Sequence, residues 1–179
     1  MGGCAESVGK RSGFFGDILE SLIIAVVLAI LIRAFLFQPF YIPSSSMMPT
    51  LLQGDRIIVS KLSYYFHPPE RGDIIVFHFP LNKKKNYVKR LVGLSGETVQ
   101  LSGGSLFIDG RRVPEPYLPP GTCFADYGPV KVPEDAYFML GDNRMNSEDS
   151  RVWGFLDREL IVGKAVVLYW PPNRIRIVR

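Results

Sequence analysis

The stretch DIIVFHFPLNKKKNYVKRLV, residues 73–92, decides the fold class of this chain. Its two ends, Asp73–Phe79 and Tyr87–Val92, are rich in β-branched and aromatic residues, and Pro80 lies between them. Such residues pack well on a pleated surface, and short runs of them bounded by turn formers are typical of β-strands. We therefore predict two strands within these twenty residues.

The same pattern continues on both sides of this stretch, and after Pro39 no long segment shows the 3.6-residue apolar period of a helix. Ser102-Gly103-Gly104 and Asp109-Gly110 each predict a hairpin turn. The sequence thus predicts a mostly β domain, a folded antiparallel sheet or barrel, with a Pro-rich insertion at about residues 102–134. The further predicted strands are Arg56–Val59, Thr98–Leu101, Ser105–Ile108, Ala136–Leu140, Gly163–Trp170 and Ile175–Val178.

A hydrophobic segment precedes the β region. Residues 22–32 read LIIAVVLAILI, and the apolar segment 18–37 has the length of a helix that spans about 30 Å of hydrocarbon. We predict one uncleaved transmembrane anchor at 18–37; a cleaved secretory signal and a buried core helix are the alternatives, and the bulky residues that follow disfavour cleavage. Lys10 and Arg11 place residues 1–17 in the cytoplasm and residues 38–179 on the extracytoplasmic side.

The composition excludes several classes of protein. The 179 residues are 47% hydrophobic with a net charge of +4, and the mean hydropathy is +0.12. This hydropathy excludes a disordered chain, and the charge is too small for a nucleic-acid binder. The chain has two histidines and two cysteines, and His67 and His78 lie in no metal-binding spacing. We expect membrane lipid as a partner, and no nucleic acid, metal or cofactor.

Two polar elements are candidates for catalysis. Residues 43–51, PSSSMMPTL, form a hydroxyl-rich segment that is either a loop capped by serine side chains or the site of a nucleophilic serine. Lys89 shares a strand face with Tyr87 and Leu91, and it is either an exposed edge lysine or a desolvated amine. Desolvation favours the neutral form of an amine, which can act as a base.

A third polar element is GDNRMNSEDSR, residues 141–151. It holds acids, arginines, serines and amides, and its one glycine is at the start. The element is either an ordinary surface loop or a hydrogen-bonded, ion-paired scaffold beside a site. The residues alone do not decide between these interpretations.

The three elements together resemble the signature boxes of bacterial type I signal peptidases. SSSMMPTL at 44–51, YVKRLVG at 87–93 and GDNRMNSEDSR at 141–151 follow a hydrophobic anchor in the order of that family, and the resemblance covers residues 18 to about 170. It implies a membrane-anchored serine endopeptidase that removes signal peptides from exported preproteins after small residues, at Ala-x-Ala sites. Ser45 and Met145 depart from the family pattern, where glycine and aspartate are common.

The resemblance also implies roles for individual residues. Ser46 is then the nucleophile and Lys89 the general base, and Ser44 donates a hydrogen bond to the oxyanion. Ser147 holds Lys89 by a hydrogen bond, while an ion pair of Asp149 with Arg151 braces the loop. The implied substrate-binding residues are Phe40, Ile42, Met47, Tyr87 and Val88.

Other functions remain as alternatives to a serine–lysine peptidase. A Ser-His-Asp hydrolase would use His78 and Asp73. A self-cleaving repressor-type protease would carry a DNA-binding domain where the hydrophobic segment stands here. A degenerate homologue that acts as a non-enzymatic membrane adaptor would lack Ser46 or Lys89, and both are present.

Overall fold

A computed structural model describes the backbone of residues 12–178 and the side chains of residues 16–30 and 36–178. The chain divides into two units, Met1–Leu36 and Phe37–Arg179. Most of the predicted cytoplasmic segment, residues 1–11, lies outside the described residues.

The first unit contains helix α1, Ser12–Phe35. Its described side chains, residues 16–30, are exposed, and large apolar residues such as Leu22 and Ile30 are among them. The helix ends two residues before the predicted end of the hydrophobic segment, because Phe37 already belongs to a strand. Among the described residues, no helix satisfies the length and hydropathy expected of a membrane span.

The second unit is built mainly from strands, and its described part has two further short helices, α2 (Ser63–Phe66) and α3 (Ser150–Trp153). Two 3₁₀ helices are formed by Arg158–Leu160 and Pro172–Arg174. The strands are β1 (Phe37–Tyr41), β2 (Arg56–Ser60), β3 (Ile74–Phe79), β4 (Asn82–Gly93), β5 (Thr98–Ser102), β6 (Ser105–Ile108), β7 (Arg111–Val113), β8 (Tyr127–Lys131), β9 (Ala136–Leu140), β10 (Leu156–Asp157), β11 (Ile161–Trp170) and β12 (Arg176–Ile177).

The strands form two antiparallel sheets. The larger sheet has the order β1-β2-β11-β3-β4-β9-β10, with β12 paired to β11, and the smaller sheet has the order β7-β6-β5-β8. Each strand pair within these sheets is antiparallel. The predicted mostly β, antiparallel fold class is therefore confirmed.

All eight predicted strands are present, and the two predicted hairpins are confirmed. Gly103-Gly104 joins β5 to β6 and Asp109-Gly110 joins β6 to β7, with all four residues at positive φ as a two-residue turn of this type requires. Strands β1, β7, β8 and β10 were not predicted. Strands β1 and β8 contain Pro39 and Pro129, and a proline within a run argues against a strand. Both strands lie at sheet edges, where a missing N–H donor is tolerated.

Three clusters of buried residues fill the interior of the second unit. One cluster includes Met47, Leu51 and Val59 and packs under the serine-rich segment. A second includes Val99 and Phe138 and joins the smaller sheet to the larger one. The third includes Phe77 of β3 and Leu91 of β4, together with residues of β9 and β10. Met47 and Leu51 thus anchor the serine-rich segment in the hydrophobic core.

Candidate active site

Ser46 and Lys89 reach the same place from two different elements. Lys89 lies in the interior of β4, which is paired on both sides by β3 and β9, and its side chain is only 3% exposed. Ser46 lies in the turn that follows β1 and is 8% exposed. Backbone hydrogen bonds from Ile42 N to Asp55 O and from Leu51 N to Met47 O, both 2.9 Å, hold this turn against the sheet.

The amine of Lys89 and the hydroxyl of Ser46 are in direct contact. Lys89 Nζ donates a hydrogen bond to Ser46 Oγ at 2.7 Å, and the Oγ atoms of Ser44 and Ser46 are 3.3 Å apart. A base within hydrogen-bond distance of a hydroxyl is the geometry that proton abstraction needs. The two residues that the sequence analysis proposed as nucleophile and base are therefore brought together.

Burial changes the protonation of Lys89. Removal from water disfavours the ammonium form and lowers the pKa of Lys89 from 10.5 to about 8, although the carboxylates of Asp149, Glu148 and Asp142 act in the opposite direction. With that pKa about a tenth of the amine is neutral at pH 7. Lys89 is thus able to accept a proton near neutral pH.

Residues 141–151, here called the polar loop, hold the serine segment from the other side. Asn143 N donates to Ser46 O and Asn143 Nδ2 donates to Ser45 O, both at 3.1 Å. Asn146 Nδ2 donates to Ser45 Oγ at 3.3 Å. These contacts join residues about one hundred positions apart, and they fix the backbone that carries the Ser46 side chain.

The polar loop is braced by the ion pair between Asp149 and Arg151. Arg151 Nε donates to Asp149 Oδ1 and Arg151 Nη2 to Asp149 Oδ2, both at 2.8 Å. Asp149 is fully buried, caps helix α3 and accepts a hydrogen bond from Gly141 N at 3.1 Å. One carboxylate therefore ties both ends of the loop together.

Ser147 lies beside the serine-rich segment, but without the hydrogen bond that the resemblance implies. Its Oγ is buried and has no hydrogen-bond partner among the described residues, so the expected bond to Lys89 is not formed. The hydroxyl instead packs against the bare α-carbon of Gly141: a methyl group there would lie 2.1 Å from Ser147 Oγ and 2.5 Å from Ser46 O. Gly141 is thus required for the close approach of the polar loop to Ser46.

Two further buried ion pairs anchor the polar loop. Arg90 donates from Nε and Nη2 to the two carboxylate oxygens of Asp142, at 2.8 and 2.7 Å, and Thr50 Oγ1 donates to Oδ2 of the same carboxylate at 2.5 Å. Arg144 pairs in the same two-pronged way with Glu115 of the Pro-rich insertion. None of these pairings was predicted, because the partners lie 29 to 92 positions apart in the sequence.

A cleft of about 300 Å³ opens at Ser46 and Lys89. Of the predicted substrate-binding residues, Tyr87 and Val88 line it. Phe40 lines a separate shallow cleft, while Ile42 and Met47 turn inward and are buried in the core. The residues lining the cleft are Pro43, Ser44, Ser45, Ser46, Asn86, Tyr87, Val88, Lys89, Asn146 and Glu148.

Five residues that line the cleft are not among the predicted site residues: Pro43, Ser45, Asn86, Asn146 and Glu148. Pro43 and Ser45 belong to the serine-rich segment and Asn86 is the strand neighbour of Tyr87, whereas Asn146 and Glu148 lie within the polar loop, whose predicted role is that of a scaffold. Glu148 Oε2 accepts a hydrogen bond from Tyr87 OH at 2.8 Å, which joins the two walls of the cleft. The signal for Glu148 was its place between Ser147 and Asp149, two of the residues that the resemblance singles out.

The histidine-based alternative finds no support in this geometry. His78 is exposed on β3 and does not line the cleft at Ser46. Asp73 is five residues away, about 16 Å along an extended chain, and its carboxylate pairs with Lys164 at 2.5 Å and accepts from Tyr64 OH at 3.0 Å. The two residues therefore cannot form a relay to Ser46.

Comparison with known proteins shows the family to which this chain is similar. The family model described as "Signal peptidase, peptidase S26" matches residues 15–170. The chain is 48% identical to a signal peptidase I of Leptolyngbya laminosa, over 96% of this chain and 87% of that protein, and 43% identical to one of Bacillus licheniformis, over 96% of each. A crystal structure of a signal peptidase I from Enterococcus faecalis V583 is 35% identical, covers 55% of this chain and 97% of the other, and has a TM-score of 0.49.

Proposed function

Since the chain belongs to the signal peptidase I family, peptidase S26, and is a serine endopeptidase that removes signal peptides, we propose that Ser46 and Lys89 perform the cleavage. The observation that carries this proposal is the hydrogen bond of 2.7 Å between Lys89 Nζ and Ser46 Oγ, made by an amine that is almost fully buried. Both the contact and the lowered pKa of Lys89 are what a lysine base requires.

The reaction proceeds in two halves. Neutral Lys89 accepts the proton of Ser46 Oγ as this oxygen attacks the scissile carbonyl carbon, and the resulting ammonium then protonates the leaving amine. In the second half Lys89 deprotonates a water molecule that attacks the acyl ester on Ser46, and the proton returns to Ser46 Oγ as the ester bond breaks. Lys89 thus exchanges one proton in each direction per half-reaction.

The negative oxygen of each tetrahedral intermediate needs a hydrogen-bond donor. Ser44 is placed for this role, because its Oγ is 3.3 Å from Ser46 Oγ and lines the same cleft. The backbone N–H of Ser46 is the second donor that we propose. One such donor contributes about 100- to 1000-fold to the rate in other serine peptidases.

Ser147, Asp149 and Arg151 act through the serine segment in this proposal. The buried Asp149–Arg151 ion pair keeps the polar loop in place, and Ser147 packs against Gly141 at the point where Gly141 approaches Ser46. Their role is therefore to position the nucleophile.

The proposed substrates are exported preproteins that are cut after a small residue, at Ala-x-Ala sites. A cleft of about 300 Å³ suits small side chains beside Ser46. Tyr87 and Val88 form its apolar wall, and we propose that Ile42 and Met47 support it from the core, with Phe40 contacting the extended substrate farther away.

A purified preprotein with an Ala-x-Ala site tests this function. We expect the full chain to cut it once, after the second alanine, and we expect Ser46→Ala and Lys89→Met to reduce the rate by at least a thousandfold. Ser44→Ala loses about 100-fold, whereas His78→Ala, a change of an exposed residue outside the cleft, retains the wild-type rate. Activity that survives Lys89→Met but not His78→Ala would refute the lysine mechanism.

The location of the enzyme is a further part of the proposal. Signal peptidase I homologues are membrane-bound. We propose that residues 18–37 cross the cell membrane once, with residues 1–17 in the cytoplasm and the β domain outside, in agreement with the apolar run at 22–32 and with Lys10 and Arg11 before it.

The two cysteines provide the measurement of this topology. Cys123 is exposed in the β domain, and Cys4 precedes the hydrophobic segment. In cells from which the layers outside the cell membrane have been removed and whose cell membrane is intact, a membrane-impermeant maleimide is expected to label the Cys4→Ser variant through Cys123. The Cys123→Ser variant reacts only after the membrane is broken, and labelling of that variant in intact cells would contradict the orientation.

A further inference from the structure

The cleft at Ser46 contains a carboxylate that the reaction does not use. Among the residues that line it, the groups that carry charge near neutral pH are Lys89 and Glu148. Lys89 has to be neutral to act as the base. In the reactive form of the enzyme, Glu148 is therefore the source of net charge in the lining of the cleft.

Glu148 has no cationic partner among the described residues. The neighbouring carboxylates are neutralised, since Asp142 is paired with Arg90 and Asp149 with Arg151. Glu148 instead accepts one hydrogen bond, from Tyr87 OH at 2.8 Å, and its side chain is exposed at the mouth of the cleft. Glu148 lines the cleft in which the substrate binds under the proposed function.

The hydrogen bond from Tyr87 holds this carboxylate in a defined position. The Tyr87 ring is stacked on Phe79, with centroids 4.3 Å apart and an interplanar angle of 11°. The Trp153 ring packs edge-on against the Phe79 ring, with centroids 6.3 Å apart. Because Tyr87 is fixed by stacking, Glu148 is held at the cleft wall and has less freedom than an unrestrained surface glutamate.

We infer that Glu148 determines specificity by favouring substrates with a lysine or arginine side chain within two residues of the scissile bond. This inference rests on the proposed function of the same cleft. An opposite charge near a partly exposed carboxylate gains a modest but measurable attraction, and a like charge is repelled. Glu148 recognises the positive charge of a substrate side chain that is long enough to reach its carboxylate. This preference adds to the selection of small residues beside Ser46.

The same interaction connects substrate binding to the base. Lys89 faces Tyr87 on its own strand, with Nζ 5.5 Å from the ring centroid, and it faces Glu148, Asp149 and Asp142 of the polar loop. The charge of Glu148 favours the ammonium form of Lys89 and so raises its pKa. A substrate cation that neutralises Glu148 therefore favours the neutral, reactive amine.

The test is a series of preproteins that differ only at one position near an Ala-x-Ala site. Lysine, glutamine and glutamate are placed in turn at the residue between the alanines and at the first and second residues after the cut, and kcat/KM is measured with the full chain. We expect the wild type to prefer lysine to glutamine by about fivefold at one or more of these positions. Glu148→Gln removes this preference, and Glu148→Lys reverses it.

A matched control removes the same charge outside the cleft. Glu134 is exposed and does not line the cleft, so Glu134→Gln is expected to keep the wild-type preference. A second readout is the pH profile of kcat/KM, whose acid limb moves to lower pH in Glu148→Gln. Lysine-to-glutamine ratios that agree within twofold between wild type and Glu148→Gln at every position overturn the inference. If no preprotein is cut by the wild type, the proposed function fails instead.

Discussion

Replacement of Lys89 by methionine is expected to stabilise the folded protein at neutral pH while it abolishes activity. Methionine has a similar length and no charge, so it removes the burial penalty of an ammonium group that is 3% exposed. The pKa of Lys89 is lowered from 10.5 to about 8 in the folded protein. The unfolded state therefore binds protons more tightly than the folded state does.

This difference gives the expected magnitude and its pH dependence. A gap of 2.5 pKa units between the two printed values corresponds to about 3 kcal/mol of destabilisation by Lys89 below pH 8. Between about pH 8 and 10.5 the folded state has lost its proton while the unfolded state still holds it, so the penalty decreases with pH and is about 1 kcal/mol at pH 10. Wild-type stability consequently rises with pH across this window relative to Lys89→Met.

Urea denaturation of both full-length proteins in the same detergent, at pH 7 and pH 10, measures this change. The contribution of packing and of the Ser46 contact is included in both comparisons, so the difference between the two pH values isolates the proton. Lys84→Met removes an exposed lysine of the same strand and corrects for the loss of one charge. A stability gap between Lys89→Met and wild type that does not shrink by at least 1 kcal/mol would refute the assignment of Lys89 as a desolvated amine.

Three other predictions follow from the site. The rate of cleavage under kcat/KM conditions should rise about tenfold from pH 7 to pH 9 as Lys89 loses its proton, and a flat profile contradicts this. Gly141→Ala should lower activity more than a hundredfold and reduce stability by about 1–3 kcal/mol, because the new methyl group overlaps Ser147 Oγ and Ser46 O; wild-type values for both would show that the loop adjusts. Glu115→Gln should destabilise the fold by about 3–5 kcal/mol, since it leaves the buried Arg144 without a counter-charge; a loss below 1 kcal/mol in urea would mean that water reaches the guanidinium.

Local composition was sufficient for most of the strands. The β-branched runs in β3, β9 and β11 and the glycine-containing turns beside β6 require a particular backbone whatever surrounds them, so they were predictable. Strand β8 was not, because Gly128 and Pro129 both disfavour a strand, and it forms only by pairing with β5 at the edge of the sheet.

The candidate site was predictable in its residue types and less so in its geometry. The three sequence boxes identified Ser46 and Lys89 together through a resemblance, and the fold brings them within 2.7 Å. The direction of a loop side chain depends on tertiary packing, and for this reason Ser147 points to Gly141 and Met47 enters the core. Residues of the polar loop find their partners across the sheet, which no local pattern reveals.

The smaller sheet has a consequence for how proteins of this design can vary. The connection between its strands β7 and β8 contacts residues beside the candidate site: Glu115 pairs with Arg144, and the ring of Tyr117 lies 3.8 Å from the guanidinium carbon of Arg90. The hairpin turns of the smaller sheet at 103–104 and 109–110 take no part in these two links. We therefore expect that additional segments can be inserted at these two turns, during evolution or by engineering, without a change in the geometry of Ser46 and Lys89.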